Sequence, residues 1–171
     1  HRLPWIMEYI KVCGIMRGEG ACGFYRIEQP LAFLNEDSDF DVAVGGASSG
    51  MDTDLFQLLQ TCAVVIIPRA TSKESLHLVS VLHDMSPSKK VIIDHDDDIF
   101  IEDNEGNLEI AKEILEKADG VFVTTSKLAD VYGKYNDNIT VLPSSLDFNI
   151  WEQHNIEKDD TIRIAWNGVY S

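Results

Sequence analysis

Four aspartates and one histidine follow an apolar run in the stretch KKVIIDHDDDIF, residues 89–100. Carboxylates packed this closely have three chemical uses. Two carboxylates one residue apart could hold a divalent cation that carries a nucleotide diphosphate. One crowded aspartate could instead have a raised pKa and act as a general base. The third use is structural, with Asp94 capping the loop and the others accepting from backbone N–H groups. His95 alone makes a weak set of metal ligands.

A second candidate stretch is rich in glycine: RGEGACGFYRIEQP, residues 17–30. Gly18, Gly20 and Gly23 permit positive φ angles and a close approach of the backbone to a ligand. We expect the stretch to open a helix, whose first N–H groups and dipole favour phosphate, with Arg26 adding a charged fork. The spacing is not G-x-G-x-x-G, so the dinucleotide-binding fingerprint is absent. The alternative is a flexible turn with Arg26 in a surface ion pair.

Apolar runs alternate with segments of helical period along the chain. Strands are predicted over 9–16, 40–46, 63–70, 89–94, 120–126, 139–145 and 162–168, and helices over 25–35, 53–62, 72–85, 108–118 and 126–135. Pro30 falls near the first turns of the first helix. Ser72 and Ser126 are expected to cap their helices, and no glycine elbow makes Ser126 a nucleophile.

This alternation predicts an α/β fold: a Rossmann-like, doubly wound parallel sheet with helices on both faces. Ligands of such sheets bind at the carboxyl ends of the strands, where strand order reverses. Residues 1–7 look like a remnant of expression, and residues 8–150 are expected to form the domain. Residues 151–171 are interpreted as a linker and the first strand of a missing or truncated second domain.

The acidic composition excludes some partners. The net charge of −15 makes nucleic acid and anionic membrane poor partners. No apolar run is long enough to cross a membrane and no signal peptide is evident, so a cytoplasmic location is expected. Three scattered cysteines do not suit a zinc or disulfide framework. A domain without its mate would expose an apolar face and could pair with itself as a homodimer.

Several stretches together resemble the N-terminal domain of GT-B fold glycosyltransferases. GACGFYRIEQPLAFL resembles their glycine-rich loop, which reads G-x-G-x-Y-R before a proline, and VIIDHDDDIF resembles their Asp-x-Asp-Asp strand end. The most specific part is residues 118–151, with A-D-x-V-x-x-x-S, a short helix and V-x-P. IRIAWNG (162–168) resembles the first strand of their second domain. Ser144 and Ser145 depart from the asparagine, often followed by glycine, that the family has after the proline.

The resemblance implies half of an enzyme that moves a sugar from a nucleotide-sugar to an acceptor hydroxyl, with little activity alone, no bound metal and no other cofactor. It assigns site residues as follows: Asp96 and Asp98 catalytic; Gly20, Gly23, Tyr25 and Arg26 near the donor diphosphate; Asp94, His95, Asp97 and Ser126 in the acceptor cleft. Two alternatives stay open. One is a metal-dependent transferase of the GT-A type, and the other is a flavodoxin-like binding or regulatory module without enzyme activity.

Overall fold

The computed structural model describes residues 9–16, 21–46, 53–101 and 107–149. The predicted strand at 162–168, the linker before it, residues 1–7, and Gly18 and Gly20 lie outside these ranges. The domain boundaries proposed from the sequence therefore stay predictions.

Six parallel strands form one sheet, in the order β2-β1-β3-β4-β5-β6. Their bounds are β1 Ile10–Met16, β2 Phe40–Gly46, β3 Val64–Pro68, β4 Lys90–His95, β5 Gly120–Val123 and β6 Ile139–Val141. The chain moves outward from β1 to β2, then returns to β3 on the other side of β1. Strand order therefore reverses between β1 and β3, which is the place where ligands of open α/β sheets bind.

Helical segments connect the strands. Their bounds are α1 Ala21–Gly23, a π-helical segment Phe24–Glu28, α2 Gln29–Leu34, α3 Thr53–Thr61, α4 Lys73–Met85, α5 Asn107–Lys117 and α6 Ser126–Tyr132. The α/β class predicted from the alternation is confirmed, as are all six strands that fall within the described residues.

The sheet is covered on both faces, because alternate residues of its strands enter two different clusters. Val12 packs with Ile27 and Leu31 of the first helical segments. Its neighbour Cys13 packs into the larger core, which also holds Leu59 of α3. Successive side chains of a strand point to opposite faces. The strands therefore carry the doubly wound arrangement that the sequence predicts.

The helix expected over 25–35 begins earlier, at Ala21, and Pro30 lies within it rather than at its start. Proline has no N–H, and its ring clashes with the carbonyl four residues before it. The helix contains a π turn just before this proline, in which the Gln29 N–H donates to the Phe24 carbonyl. Gly23 is an ordinary helical residue with φ −60°. Gly23 therefore does not use the positive φ that glycine permits.

Two predicted helix caps have different outcomes. Ser72 caps α4 as expected, since its hydroxyl accepts from the Ser75 N–H at 3.3 Å. The cap of α6 is Thr125, not Ser126: the Thr125 hydroxyl accepts from the Leu128 N–H at 3.2 Å. The capping prediction for Ser126 is wrong by one residue, because Thr125 is the residue that keeps extended backbone before the first turn.

Candidate functional site

A buried ion pair lies at the carboxyl edge of the sheet, which is the edge where the parallel strands end. Arg26, from the π-helical segment, donates through Nε to Asp94 Oδ2 at 3.1 Å and through Nη2 to Asp94 Oδ1. Their side chains are 3% and 2% exposed. Arg26 Nη1 also donates to the carbonyl of Leu142, just after β6, at 2.7 Å. One guanidinium therefore joins the first helical segment, β4 and the chain that follows β6.

This ion pair changes how two predicted residues are understood. The sequence analysis placed Arg26 on the donor side and Asp94 in the acceptor cleft, and the structure brings them into direct contact. Burial raises the pKa of Asp94 above its ordinary value, and the bonds and charge of Arg26 oppose that rise. The described contacts of Arg26 go to a carboxylate and a carbonyl, so much of its hydrogen-bonding capacity is already taken. Its role near a diphosphate stays a prediction.

The next two aspartates face Arg69, a residue that the sequence analysis did not single out. Arg69 follows β3, and its guanidinium lies 3.8 Å from Asp96 Oδ1 and 3.4 Å from Asp97 Oδ2. It has φ 49°, an uncommon left-handed conformation for a residue with a side chain. The Arg69 N–H donates to the Asp94 carbonyl at 2.8 Å. This bond holds the Arg69 backbone against the end of β4, which directs its side chain along the acidic edge.

Asp96 also contacts a thiol. The hydrogen bond between Cys22 and Asp96 raises the pKa of the Cys22 thiol, and burial adds to that effect. Arg69 Nη1 lies 3.8 Å from the Cys22 sulfur. A thiol with a raised pKa stays protonated at neutral pH and is a poor nucleophile. Cys22 is therefore a donor to Asp96 and not a candidate for covalent catalysis.

A cavity of about 300 Å³, the carboxyl-edge cavity, opens beside this cluster of Arg26, Arg69 and the aspartates. It is lined by Ala21, Cys22, Tyr25, Arg26, Asp96, Ser144, Ser145 and Leu146. The Asp96 side chain in this lining is 19% exposed, and its buried Oδ1 faces Arg69 at 3.8 Å without a hydrogen bond from any described residue. The lining thus combines a partly exposed carboxylate with three hydroxyl-bearing side chains. That chemistry suits a ligand that presents several hydroxyl groups.

The last aspartate has a structural use. Asp98 Oδ1 accepts from the Phe100 N–H at 3.0 Å, which is the pattern of an Asx turn. The neighbouring backbone is fixed by Tyr132 of α6, whose hydroxyl donates to the Asp97 carbonyl at 2.7 Å and accepts from the Ile99 N–H at 3.3 Å. Burial raises the pKa of Tyr132, so the hydroxyl keeps the proton that it donates. The structural use foreseen for part of the acidic stretch is present at Asp98.

His95 lies away from the cavity. It alternates with Asp94 along β4 and points into the opposite face, where it is fully buried and stacks on Tyr132 with ring centroids 5.0 Å apart. Burial lowers the pKa of His95 to about 4, so the ring is neutral at physiological pH. Neither ring nitrogen has a hydrogen-bond partner among the described residues. The structure therefore places His95 in the core, away from the cavity lining.

The site residues predicted from the sequence separate into groups. Tyr25, Arg26 and Asp96 meet at the cavity. Asp97 and Ser126 are exposed, and Gly23 is buried in the helix. Gly20 lies outside the described residues.

Ser144 and Ser145 entered the sequence analysis only as a departure from a family pattern, yet they line the cavity. The signal that could have found Arg69 was its place directly after a buried strand of the same parallel sheet.

Two classes of feature are absent from the part of the chain that the structure describes. No group of three or more His, Cys, Asp or Glu side chains is placed to hold a metal ion. No helix within those ranges has the length and apolar content needed to span a bilayer.

Comparisons with known proteins give little information about the function of this chain. No family model matches the chain, and no curated protein matches it. A solved structure of a protein described as pilus assembly-related, from Burkholderia pseudomallei K96243, aligns with a TM-score of 0.44 and 12% sequence identity. The alignment covers 77% of this chain and 92% of that chain. A similarity this weak carries no functional argument, and the α/β assignment rests on the parallel sheet itself.

Proposed function

We propose that the cavity binds hydroxyl groups of a sugar or another polyhydroxylated acceptor, and that the chain is the acceptor-side domain of a glycosyltransferase. The observation that carries the proposal is the partly exposed Asp96 carboxylate in a cavity that also presents Ser144, Ser145 and Tyr25. Carboxylates and hydroxyls are the groups that pair with sugar hydroxyls. The cavity also lies at the carboxyl edge, where ligands of this architecture bind.

The chemistry assigned to the site is displacement at the anomeric carbon of the donor sugar, in one step or in two. Asp96 accepts the proton of the acceptor hydroxyl as that oxygen bonds to the anomeric carbon of the donor. The bond from the anomeric carbon to the diphosphate oxygen breaks, and the nucleoside diphosphate leaves with the electron pair. Asp98 is the weaker choice of base, because one of its oxygens already accepts from the Phe100 N–H.

The donor side needs more than the described residues provide. Arg26 and Arg69 both lie against aspartates, so their charges are largely compensated. The proposal therefore includes a second domain that binds the nucleotide-sugar and closes over this edge. The proposal assigns no divalent metal, as the resemblance to GT-B enzymes implies.

Amide-resolved NMR of this chain, titrated with a panel of mono- and oligosaccharides, tests the proposal. Shifts centred on residues 21–26 and 144–146 are expected, and they should vanish in Asp96→Asn and in the Ser144→Ala/Ser145→Ala double variant. Glu116→Gln, an exposed change on α5, is the matched control. Saccharide binding that survives in Asp96→Asn would overturn the assignment.

A parallel titration with manganese, with and without UDP, tests the metal-dependent alternative. Micromolar binding of the metal that strengthens with UDP would replace the proposal with a donor-diphosphate site at the aspartates. Binding of neither saccharide nor metal would favour a module without enzyme activity.

A further inference from the structure

We propose that a second cavity, on the outer side of the first helical segments, binds a guanidinium group such as that of an arginine side chain. This cavity of about 230 Å³ is lined by residues from 24–36, which run from the π-helical segment to the turn after α2, and from 147–149. Six of its lining residues carry the argument: Phe24, Glu28, Gln29, Phe33, Glu36 and Asp147. The inference is independent of the proposed function, because no residue of this lining belongs to the carboxyl-edge cavity.

Gln29 is the feature that points to a ligand. Its side chain lines the cavity and is only 7% exposed, yet neither Oε1 nor Nε2 has a hydrogen-bond partner among the described residues. Buried amides in proteins are nearly always paired, because an unpaired one has lost its water without replacement. The N–H groups of a guanidinium can donate to Oε1.

The charge of the lining selects the sign of the ligand. Glu28, Glu36 and Asp147 are acidic, and no lysine, arginine or histidine is among the described lining residues. A phosphate or carboxylate ligand would therefore be repelled. A bare metal ion is also disfavoured, since the described part of the chain holds no group of acidic side chains arranged as metal ligands. An organic cation is the class that remains.

Two phenyl rings favour guanidinium over ammonium. Phe24 and the half-exposed Phe33 both line the cavity. A guanidinium is planar, weakly hydrated and able to stack on an aromatic face while its edge donates to carboxylates. The cavity is smaller than those that hold drug-sized ligands, so it has room for one side chain. The guanidinium could come from a free arginine derivative or from an arginine within a polypeptide.

The experiment is an amide-resolved NMR titration of the chain with N-acetyl-arginine amide. The control ligand is N-acetyl-citrulline amide, which has nearly the same shape and no charge. We expect saturable shifts at residues 24–36 and 147–149 with the arginine compound, and binding at least about tenfold weaker with citrulline. Equal shifts with the two compounds, or none with either, would overturn the proposal.

Variants locate the site. Glu28→Gln/Glu36→Gln changes two exposed residues and should weaken binding about tenfold, while Glu116→Gln should leave it unchanged. Gln29→Met keeps the size of the side chain and removes the amide, and about fivefold weaker binding is expected. Unchanged affinity in the double glutamate variant contradicts the site even if Gln29→Met does not fold.

An arginine-containing peptide that binds tenfold tighter than the capped residue identifies a polypeptide source, and equal affinity identifies a small molecule.

Discussion

Arg26 and Asp94 stand 68 residues apart in the sequence and form an ion pair that is almost completely withdrawn from solvent. Asp94 is on the face of β4 that turns toward the first helical segments, and the π turn brings Arg26 to it. The same guanidinium reaches the carbonyl of Leu142. The wall of the carboxyl-edge cavity thus depends on one charge pair buried between helix and sheet.

Replacing one partner of this pair should be costly. In Arg26→Met, Asp94 is left buried without a counter-charge, and a loss of about 3–5 kcal/mol in unfolding free energy is expected at pH 7. Arg26→Met/Asp94→Leu removes both charges and should recover a large part of that loss. Urea unfolding followed by circular dichroism measures both. A single variant within 1 kcal/mol of wild type would show that the pair is not buried in solution.

The pH dependence of Arg26→Met gives a second, independent check. Burial already raises the pKa of Asp94, and removing Arg26 removes the opposing effect, so the folded pKa moves further above 3.8. A carboxyl whose pKa is higher in the folded state binds its proton preferentially there. The variant should therefore regain stability relative to wild type as the pH falls through that raised pKa. A stability deficit that stays constant between pH 7 and pH 5 would contradict this mechanism.

The fold could be predicted from the sequence because its signals are local. Phe40–Gly46 is a strand with the predicted bounds, since an apolar β-branched run ended by glycines needs no distant partner to be identified. Ser72 was identifiable for the same reason, because a capping hydroxyl and its N–H are three residues apart. The parallel order of the strands followed from the helices between them.

The site could be predicted only in part, because its contacts join distant segments. Nothing near Arg26 indicates that Asp94 is its partner, since that pairing depends on strand order and on which face of β4 each residue occupies. The same alternation separates His95 from Asp94, although the two are adjacent in sequence. Arg69 reaches Asp96, and Ser144 reaches the cavity, from the ends of other segments, so both positions required the assembled sheet.

The cap of α6 offers a paired test at adjacent residues. Thr125→Ala removes the hydroxyl that accepts from the Leu128 N–H, and a loss of about 1 kcal/mol in unfolding free energy is expected. Ser126→Ala removes an exposed hydroxyl from the first helical position and should change stability by less than about 0.5 kcal/mol. Thermal unfolding of the two variants under the same conditions compares them. A larger loss for Ser126→Ala would return the cap to the residue that the sequence first indicated.

Lys89 should stabilise the C-terminal end of α3 by donating hydrogen bonds to its last carbonyl groups. Its ammonium group donates to the carbonyl of Leu59 at 2.7 Å and also to the carbonyl of Cys62, and the residue is only 3% exposed. These carbonyls lie where the helix can no longer supply partners. Lys89→Met should therefore cost about 1–3 kcal/mol of unfolding free energy. Lys127→Met, at an exposed position of α6, is the control, and similar effects from both changes would refute the capping role.

Asp119 links three segments at the opposite, amino edge of the sheet. Its carboxylate accepts from Lys90 Nζ at 2.7 Å and from the Val91 N–H at 2.9 Å, and it contacts His83 Nε2 at 3.0 Å. Burial alone would raise the pKa of Asp119, but these hydrogen bonds outweigh burial and hold the pKa below its ordinary value of 3.8. A carboxyl with a depressed folded pKa contributes stability above its unfolded pKa and loses it as the pH falls through the folded value.

The stability of the wild-type chain should therefore fall more steeply below about pH 4 than that of Asp119→Asn, which has no carboxyl to protonate there. At pH 7 the variant should be less stable by about 0.5–1.5 kcal/mol, the usual worth of a hydrogen bond. Urea unfolding from pH 2.5 to pH 7 measures both effects. Glu113→Gln, in an exposed ion pair with Lys117, should keep the wild-type slope. Equal slopes for wild type and Asp119→Asn would mean that other carboxylates govern acid unfolding.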